Sequence, residues 1–223
     1  MHLRATACTV FILLAVAVAP SLAIDTVQAP GSNADNFYAR VLKEDPGNPT
    51  ANIYMGDKAY KAGQFDEAIR RFQAALAKEP DNTEAIFKLA RTYGLTKRFG
   101  EAEPLYNRVL QLDPSYADAH YGLALVYESR EQFEKAAQEY RTVLQARPGD
   151  DNVRSKLAFA LLNSGNMADG ITIMEGLAAK DPRAEGPVKT LVEIYTQQGQ
   201  AAKAEALLKK YVAAKPTDLA AAE

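Results

Sequence analysis

Residues 83–116, TEAIFKLARTYGLTKRFGEAEPLYNRVLQLDPSY, and residues 117–150, ADAHYGLALVYESREQFEKAAQEYRTVLQARPGD, stand one behind the other and read as two copies of one unit. Each carries a proline near its end, Pro114 and Pro148. The same residue recurs at Pro46, Pro80, Pro182 and Pro216, always 34 residues apart. A period of that length is one helix-turn-helix unit, too small to bury its apolar face alone, so successive units must stack. The spacing predicts an all-α chain whose function belongs to a surface built by several units.

With each proline at position 32, the units begin at Pro49, Thr83, Ala117, Asp151 and Glu185, and the other fixed positions fall into register. Position 8 is mostly small (Gly56, Ala90, Ala124, Ala158, Val192), and so is position 20 (Ala68, Ala102, Ala136, Gly170, Ala204). Position 7 is large (Met55, Leu89, Leu123, Leu157, Leu191), as is position 24 (Phe72, Tyr106, Tyr140, Met174, Leu208). Position 27 holds Ala75, Val109, Val143, Leu177 and Tyr211. Small residues let two helices approach, and large ones three or four residues away fill the groove between them. Each proline drives the residue before it out of the α region and ends the second helix of its unit. Asn82, Asp150 and Asp218 follow two residues later, where a side-chain oxygen caps the next helix. Gly63, Gly165 and Gly199 mark left-handed turns between the helices, whereas units two and three carry Lys97 and Glu131 there.

These residues resemble the tetratricopeptide repeat (TPR) pattern of Leu, Gly or Ala, Tyr, Ala, Phe, Ala and Pro along 34 residues. The resemblance implies a right-handed α-solenoid of about eleven helices. Five units span 49–82, 83–116, 117–150, 151–184 and 185–218, followed by a tail at 219–223. Ala34, Tyr38, Val41 and Pro46 match positions 20, 24, 27 and 32 of a preceding half-unit, which places a capping helix within 34–48.

The first 23 residues do not repeat. Arg4 precedes an apolar run from Ala5 to Ala19, and Ser21-Leu22-Ala23 supplies the small residues that a signal peptidase needs. The run is short for a membrane span of roughly 20 residues. Cleavage after Ala23 gives a periplasmic or secreted protein; retention of the segment gives a membrane-anchored one facing the periplasm. Cys8, the single cysteine, lacks the small-residue box of a lipidated cysteine, and cleavage would leave none. Residues 24–33, with Pro30 and Gly31, read as a linker.

Lysine and arginine number 26 against 28 aspartate and glutamate, for a net charge of −2, which argues against nucleic-acid binding. No phosphate loop, dinucleotide fingerprint or zinc spacing occurs. With His2 inside the signal, His120 stands alone and cannot assemble a nucleophile with its base, so neither enzymatic activity nor a cofactor is expected. His120, at position 4, reads as a packing or hydrogen-bonding residue, with a pH-sensitive role as the alternative.

By the family resemblance, positions 2, 5, 9 and 12 of the first helices line a concave groove. Unit one contributes Thr50, Ile53, Asp57 and Tyr60, unit two Glu84, Phe87, Arg91 and Gly94, and unit three Asp118, Tyr121, Leu125 and Glu128. Unit four adds Asn152, Ser155, Phe159 and Leu162, and unit five Gly186, Lys189, Glu193 and Thr196. Phe87, Tyr121, Leu125, Phe159 and Leu162 give the groove an apolar middle with polar ends, the anatomy of a protein-binding site. The alternative is that neighbouring helices bury these side chains against each other. Asp57, Glu84, Asp118, Glu128 and Glu193 outnumber Arg91 and Lys189, which suits a partner segment that is apolar with some positive charge; the alternative for the charges is a solvated face. No unit pairs lysine at position 5 with asparagine at position 9, so the terminal-carboxylate grip of some TPR chaperone cofactors is not expected.

Two weak points follow from the pattern. Gly170 and Gly176 lie in the second helix of unit four, marking it as the softest unit; the alternative is that Gly170 merely serves as the small packing residue of its position. Little chain remains after Pro216 to cover the last helix, so Leu207 and Val212 lack a complete cover and point to self-association or a partner at the C-terminal end. The sequence therefore reads as an exported, non-enzymatic adaptor or assembly factor. Similar TPR proteins with signal sequences serve in pilus, secretion-system and outer-membrane assembly, polysaccharide export and cytochrome maturation.

Overall fold

A computed structural model describes residues 31–214; the candidate signal at 1–23, the linker up to Pro30, Pro216, Asp218 and the tail lie outside the described residues. Eleven α-helices and no strands make up the described part. They are α1 (Gly31–Glu44), α2 (Pro49–Lys61), α3 (Phe65–Lys78), α4 (Thr83–Leu95), α5 (Phe99–Leu112), α6 (Ala117–Ser129), α7 (Phe133–Ala146), α8 (Asp151–Asn163), α9 (Met167–Lys180), α10 (Glu185–Gln197) and α11 (Ala201–Ala214). Each helix packs on the next in order, which is the contact pattern of a solenoid. The first helix begins at Gly31, three residues before the expected start at 34, so the linker is shorter than expected.

Helix ends follow local chemistry. Glu79, Asp113, Arg147 and Asp181, each preceding a proline, are extended, with φ between −139° and −122°. Asn82 and Asp150 accept from the backbone N–H of Ala85 and Val153, as expected, and Asn48 and Asn166 cap α2 and α9 in the same way. Gly63, Gly165 and Gly199 have positive φ, and so do Lys97 (60°) and Glu131 (58°). The turn geometry is thus common to all five units even where glycine is absent. Pro104 sits inside α5, where it removes one helical N–H, an interruption the repeat pattern does not signal.

Position 4 has a structural use that accounts for His120. Its Nε2 lies 3.1 Å from the Pro114 carbonyl oxygen, six residues back, while Nδ1 lies 2.6 Å from Glu139 Oε2. Asn52, fully buried at the same position of unit one, donates to the Pro46 carbonyl at 2.9 Å, and Arg154 in unit four donates to the Pro148 carbonyl. In three units, then, a position-4 side chain ties the helix start to the proline loop before it.

Phe72, Tyr106, Tyr140 and Met174 at position 24 are buried, and in unit one Phe72 lies close against Gly56 at position 8. A Cβ on Gly56 would stand 2.6 Å from the Phe72 ring, so this close approach requires glycine. The core divides at α8. A front cluster runs from Ala59 to Leu161 and a smaller rear cluster from Ala158 to Ala204, with Ile173 packed against both. At the far end the position-24 residue Leu208 is 43% exposed and Val212 63%, whereas Leu207 is half-buried against the rear cluster. The open residues of α11 are therefore Leu208 and Val212. Leu207 points inward because it falls on the face that meets α10.

Two outcomes test this description. Lys97→Gly and Glu131→Gly should each raise stability by about 0.5–1 kcal/mol in denaturant unfolding, since a left-handed residue with a side chain is strained beyond glycine's extra unfolded-state entropy. In unit four, nothing lies within 4 Å of a Cβ on Gly176, while one on Gly170 would stand 2.7 Å from Leu162 Cδ2 and 3.1 Å from the Ala158 carbonyl oxygen. Gly176→Ala should add roughly 0.5–1 kcal/mol and slow amide exchange in α9, and Gly170→Ala should do neither. Equal exchange protection in all five units of the unsubstituted chain would contradict a soft α9.

Candidate protein-binding groove

Tyrosine and phenylalanine at the groove positions are held at one edge and open at the other. Phe87 on α4 is half-buried, its ring centroid 5.1 Å from that of Tyr116 in the loop before α6 and 6.2 Å from that of Tyr106 on α5. Tyr121 on α6 stands 6.0 Å from Tyr140, and Phe159 on α8 meets Phe133 edge-on at 6.1 Å while remaining 45% exposed. Leu125 and Leu162 are half-buried. Second-helix aromatics and Tyr116 thus brace these rings, while Phe159 above all keeps a large open face. Burial is the main cause that raises the phenol pKa values of Tyr106, Tyr116, Tyr121 and Tyr140, so these side chains act as neutral groups.

At the ends the groove is polar. Ile53 is half-buried, and Ser155 Oγ is turned to its own helix, donating to the Asp151 carbonyl at 2.9 Å. Lys189 and Glu193 on α10 are exposed.

The charge balance differs from the one read along the sequence. Asp57 pairs with Lys88, whose side chain is only 16% exposed, and Glu84 approaches the same ammonium at 3.3 Å. Asp118 meets Arg147 at 2.7 Å. Glu128 accepts from the Tyr140 hydroxyl and lies 3.7 Å from Lys156. Four of the five groove carboxylates thus have a cation from the chain itself. Two of those cations, Lys88 and Lys156, stand at position 6, which had not been counted as groove-facing. These four carboxylates are matched within the chain and so do not call for positive charge in a partner.

Of the two groove cations, Arg91 and the exposed Lys189, Arg91 is the one that lies among aromatic rings. It makes no ion pair among the described residues; its guanidinium carbon lies 4.4 Å from the Tyr60 ring centroid and 5.9 Å from that of Phe87. Beside it opens a cavity of about 360 Å³ lined by Tyr60, Arg91, Gly94, Phe99, Tyr106, Gly122 and Leu125, among others. Sequence reasoning placed Tyr60, Arg91 and Leu125 in the groove but assigned Tyr106 only to helix packing. A larger cavity, about 960 Å³, lies beside the α2–α3 turn, but its Lys58, Arg70 and Arg71 are already paired with Asp35 and Glu67. Among the described residues no cluster of histidine, cysteine and carboxylates could hold a metal ion, and no helix is long and apolar enough to cross a membrane.

Comparison with known proteins bears on the fold. Two family models, both described as tetratricopeptide repeat, match residues 55–117 in one case and 95–158, 129–187 and 161–223 in the other. No curated protein matches the chain. Among solved structures, a crystal structure of MamA aligns with a TM-score of 0.68 at 22% identity, covering 75% of this chain and 91% of that one. MamA from Desulfovibrio magneticus RS-1 gives 0.69 at 18% identity, covering 75% and 94%. YrrB, described as a TPR protein with an unusual peptide-binding site, gives 0.69 at 16% identity, covering 82% and 94%.

Proposed function

Because the chain belongs to the tetratricopeptide repeat family, whose members are generally protein-interaction scaffolds, we propose that it is a non-enzymatic adaptor of the cell envelope that holds a segment of a partner protein in its concave groove. The observation that carries this reading is the run of Phe87, Tyr121 and Phe159 on three consecutive first helices, each ring braced at one edge and none fully buried. Rings fixed in this way lose little freedom when a partner covers them, so the area they bury is retained as affinity. YrrB, described as having a peptide-binding site, makes a peptide partner plausible for this solenoid as well. The envelope location rests on residues 1–23, whose apolar run and Ser21-Leu22-Ala23 favour export into a periplasm, with an uncleaved anchor as the other form. Assembly of an envelope, secretion or pilus-type complex is the role that suits an exported adaptor of this kind.

A Phe87→Ala, Tyr121→Ala, Phe159→Ala variant with unchanged helical circular dichroism should lose one specific protein that co-purifies with the unsubstituted chain from envelope extract. An unchanged set of partners would remove the groove from the function.

A second reading has its own observation: Leu208 and Val212 leave an apolar stripe exposed on α11. Self-association through that stripe should appear in sedimentation as a mass that rises with concentration and returns to the monomer value in Leu208→Lys, Val212→Lys. A monomer mass at every concentration would dismiss it.

A further inference from the structure

Units two and three differ at the two repeat positions that meet beside the tyrosine of position 24. In unit three, position 12 is Glu128, which accepts from the Tyr140 hydroxyl, and position 6 of the following unit is Lys156, 3.7 Å from the same carboxylate. In unit two the corresponding residues are Gly94 and Gly122. Where one unit places an acid and a base, its neighbour has the 360 Å³ cavity.

Tyr106, the tyrosine of unit two, is only 3% exposed and lines this cavity, and its hydroxyl has no hydrogen-bond partner among the described residues. At the edge of the cavity it lacks the carboxylate acceptor that its counterpart Tyr140 has in Glu128. A cation is present too, supplied from a different position: Arg91 lies over the Tyr60 ring with no carboxylate beside it. Lys97 lines the cavity too and makes no ion pair among the described residues, while Ser129 adds a hydroxyl that can donate or accept; two cations with no carboxylate favour an acidic acceptor. The neighbouring unit indicates which kind, because there the position is taken by a carboxylate.

We infer that this cavity receives the side chain of an aspartate or glutamate from the partner segment, in the place that Glu128 occupies one unit further on. The inference rests on the groove reading proposed above and names the charge of the ligand at one point along it. An internal acidic residue suits the site better than a chain end, since aromatic side chains continue on both sides: Tyr60 towards unit one, Tyr121 and Phe159 towards unit four. A segment that ended at Arg91 would leave one of those stretches empty. Gly122 is required by the tyrosine itself, because a Cβ there would stand 2.3 Å from Tyr106 Cζ. Gly94 is not so constrained: its Cβ would lie 3.7 Å from the Tyr106 hydroxyl, an ordinary contact, so the position admits a side chain.

That freedom provides a test within the chain. Gly94→Glu should restore the acid of unit three and stabilise the protein, and part of the gain should vanish in a Tyr106→Phe background; a double-mutant cycle with no coupling would overturn the inference. The second test uses linear peptides selected from a random display library against the full chain. They should carry an aspartate or glutamate next to a large apolar residue. For a synthetic version, changing that acid to its amide should weaken binding by about ten-fold or more, as loss of a charge-assisted hydrogen bond does. Arg91→Gln and Gly94→Glu should do the same, and amidating the peptide's C-terminus should change nothing. Peptides without an acid, or affinities indifferent to Arg91→Gln and Gly94→Glu, overturn the inference and leave the groove reading intact so long as the triple aromatic variant abolishes binding. Sensitivity to C-terminal amidation instead assigns the cavity to a chain terminus and also overturns it. Failure to select any peptide, or binding that survives the triple variant, overturns both.

Discussion

The stack depends on one packing constraint, the burial of a large position-24 side chain in each unit but the last. Glycine where the approach is closest, Gly56 against Phe72 and Gly122 against Tyr106, leaves room for these rings, and Phe72, Tyr106, Tyr140 and Met174 are sealed from water. Because every unit repeats the arrangement, the first helices α2, α4, α6, α8 and α10 recur at equivalent places along the stack. Where no further unit is described, at α11, the position-24 residue Leu208 stands open. A groove in such a protein is a by-product of the core, and its chemistry is written in the positions the core does not use.

That division explains which features were legible in the sequence. Helix number, the caps at Asn82 and Asp150 and the left-handed glycines depend on neighbours within one unit, and their residue types report them directly. Lys97 and Glu131 took the same left-handed conformation without the usual residue because the helices on either side impose it. The groove aromatics were visible as types at fixed positions. How far each is buried was not, since that depends on Tyr116 and Phe133, which lie outside the positions assigned to the groove. The charge balance was misjudged for a similar reason: ion pairs run between position 9 or 12 of one unit and position 6 of the next, as in Asp57–Lys88 and Glu128–Lys156, and a tally by single positions cannot see them.

Comparing the units with one another recovers some of what the tally missed. His120 looks isolated as the lone histidine of the helical part, yet it becomes ordinary beside Asn52 and Arg154, which reach the equivalent proline carbonyls. Gly94 and Gly122, unremarked as single glycines, acquire meaning only against Glu128 and Lys156. In a repeat protein each unit serves as an internal control for the others, and departures from the common pattern show where a surface has been specialised.

The division of the core at α8 bears on how the molecule would carry mechanical load. The front cluster, which supports Arg91, Tyr106 and the aromatic line up to unit three, is larger than the rear one and meets it mainly around Ile173. Units linked in series all carry the same tension, so the order in which they give way follows their own packing. The rear cluster, with less apolar area to lose, is expected to yield at a lower load than the front one.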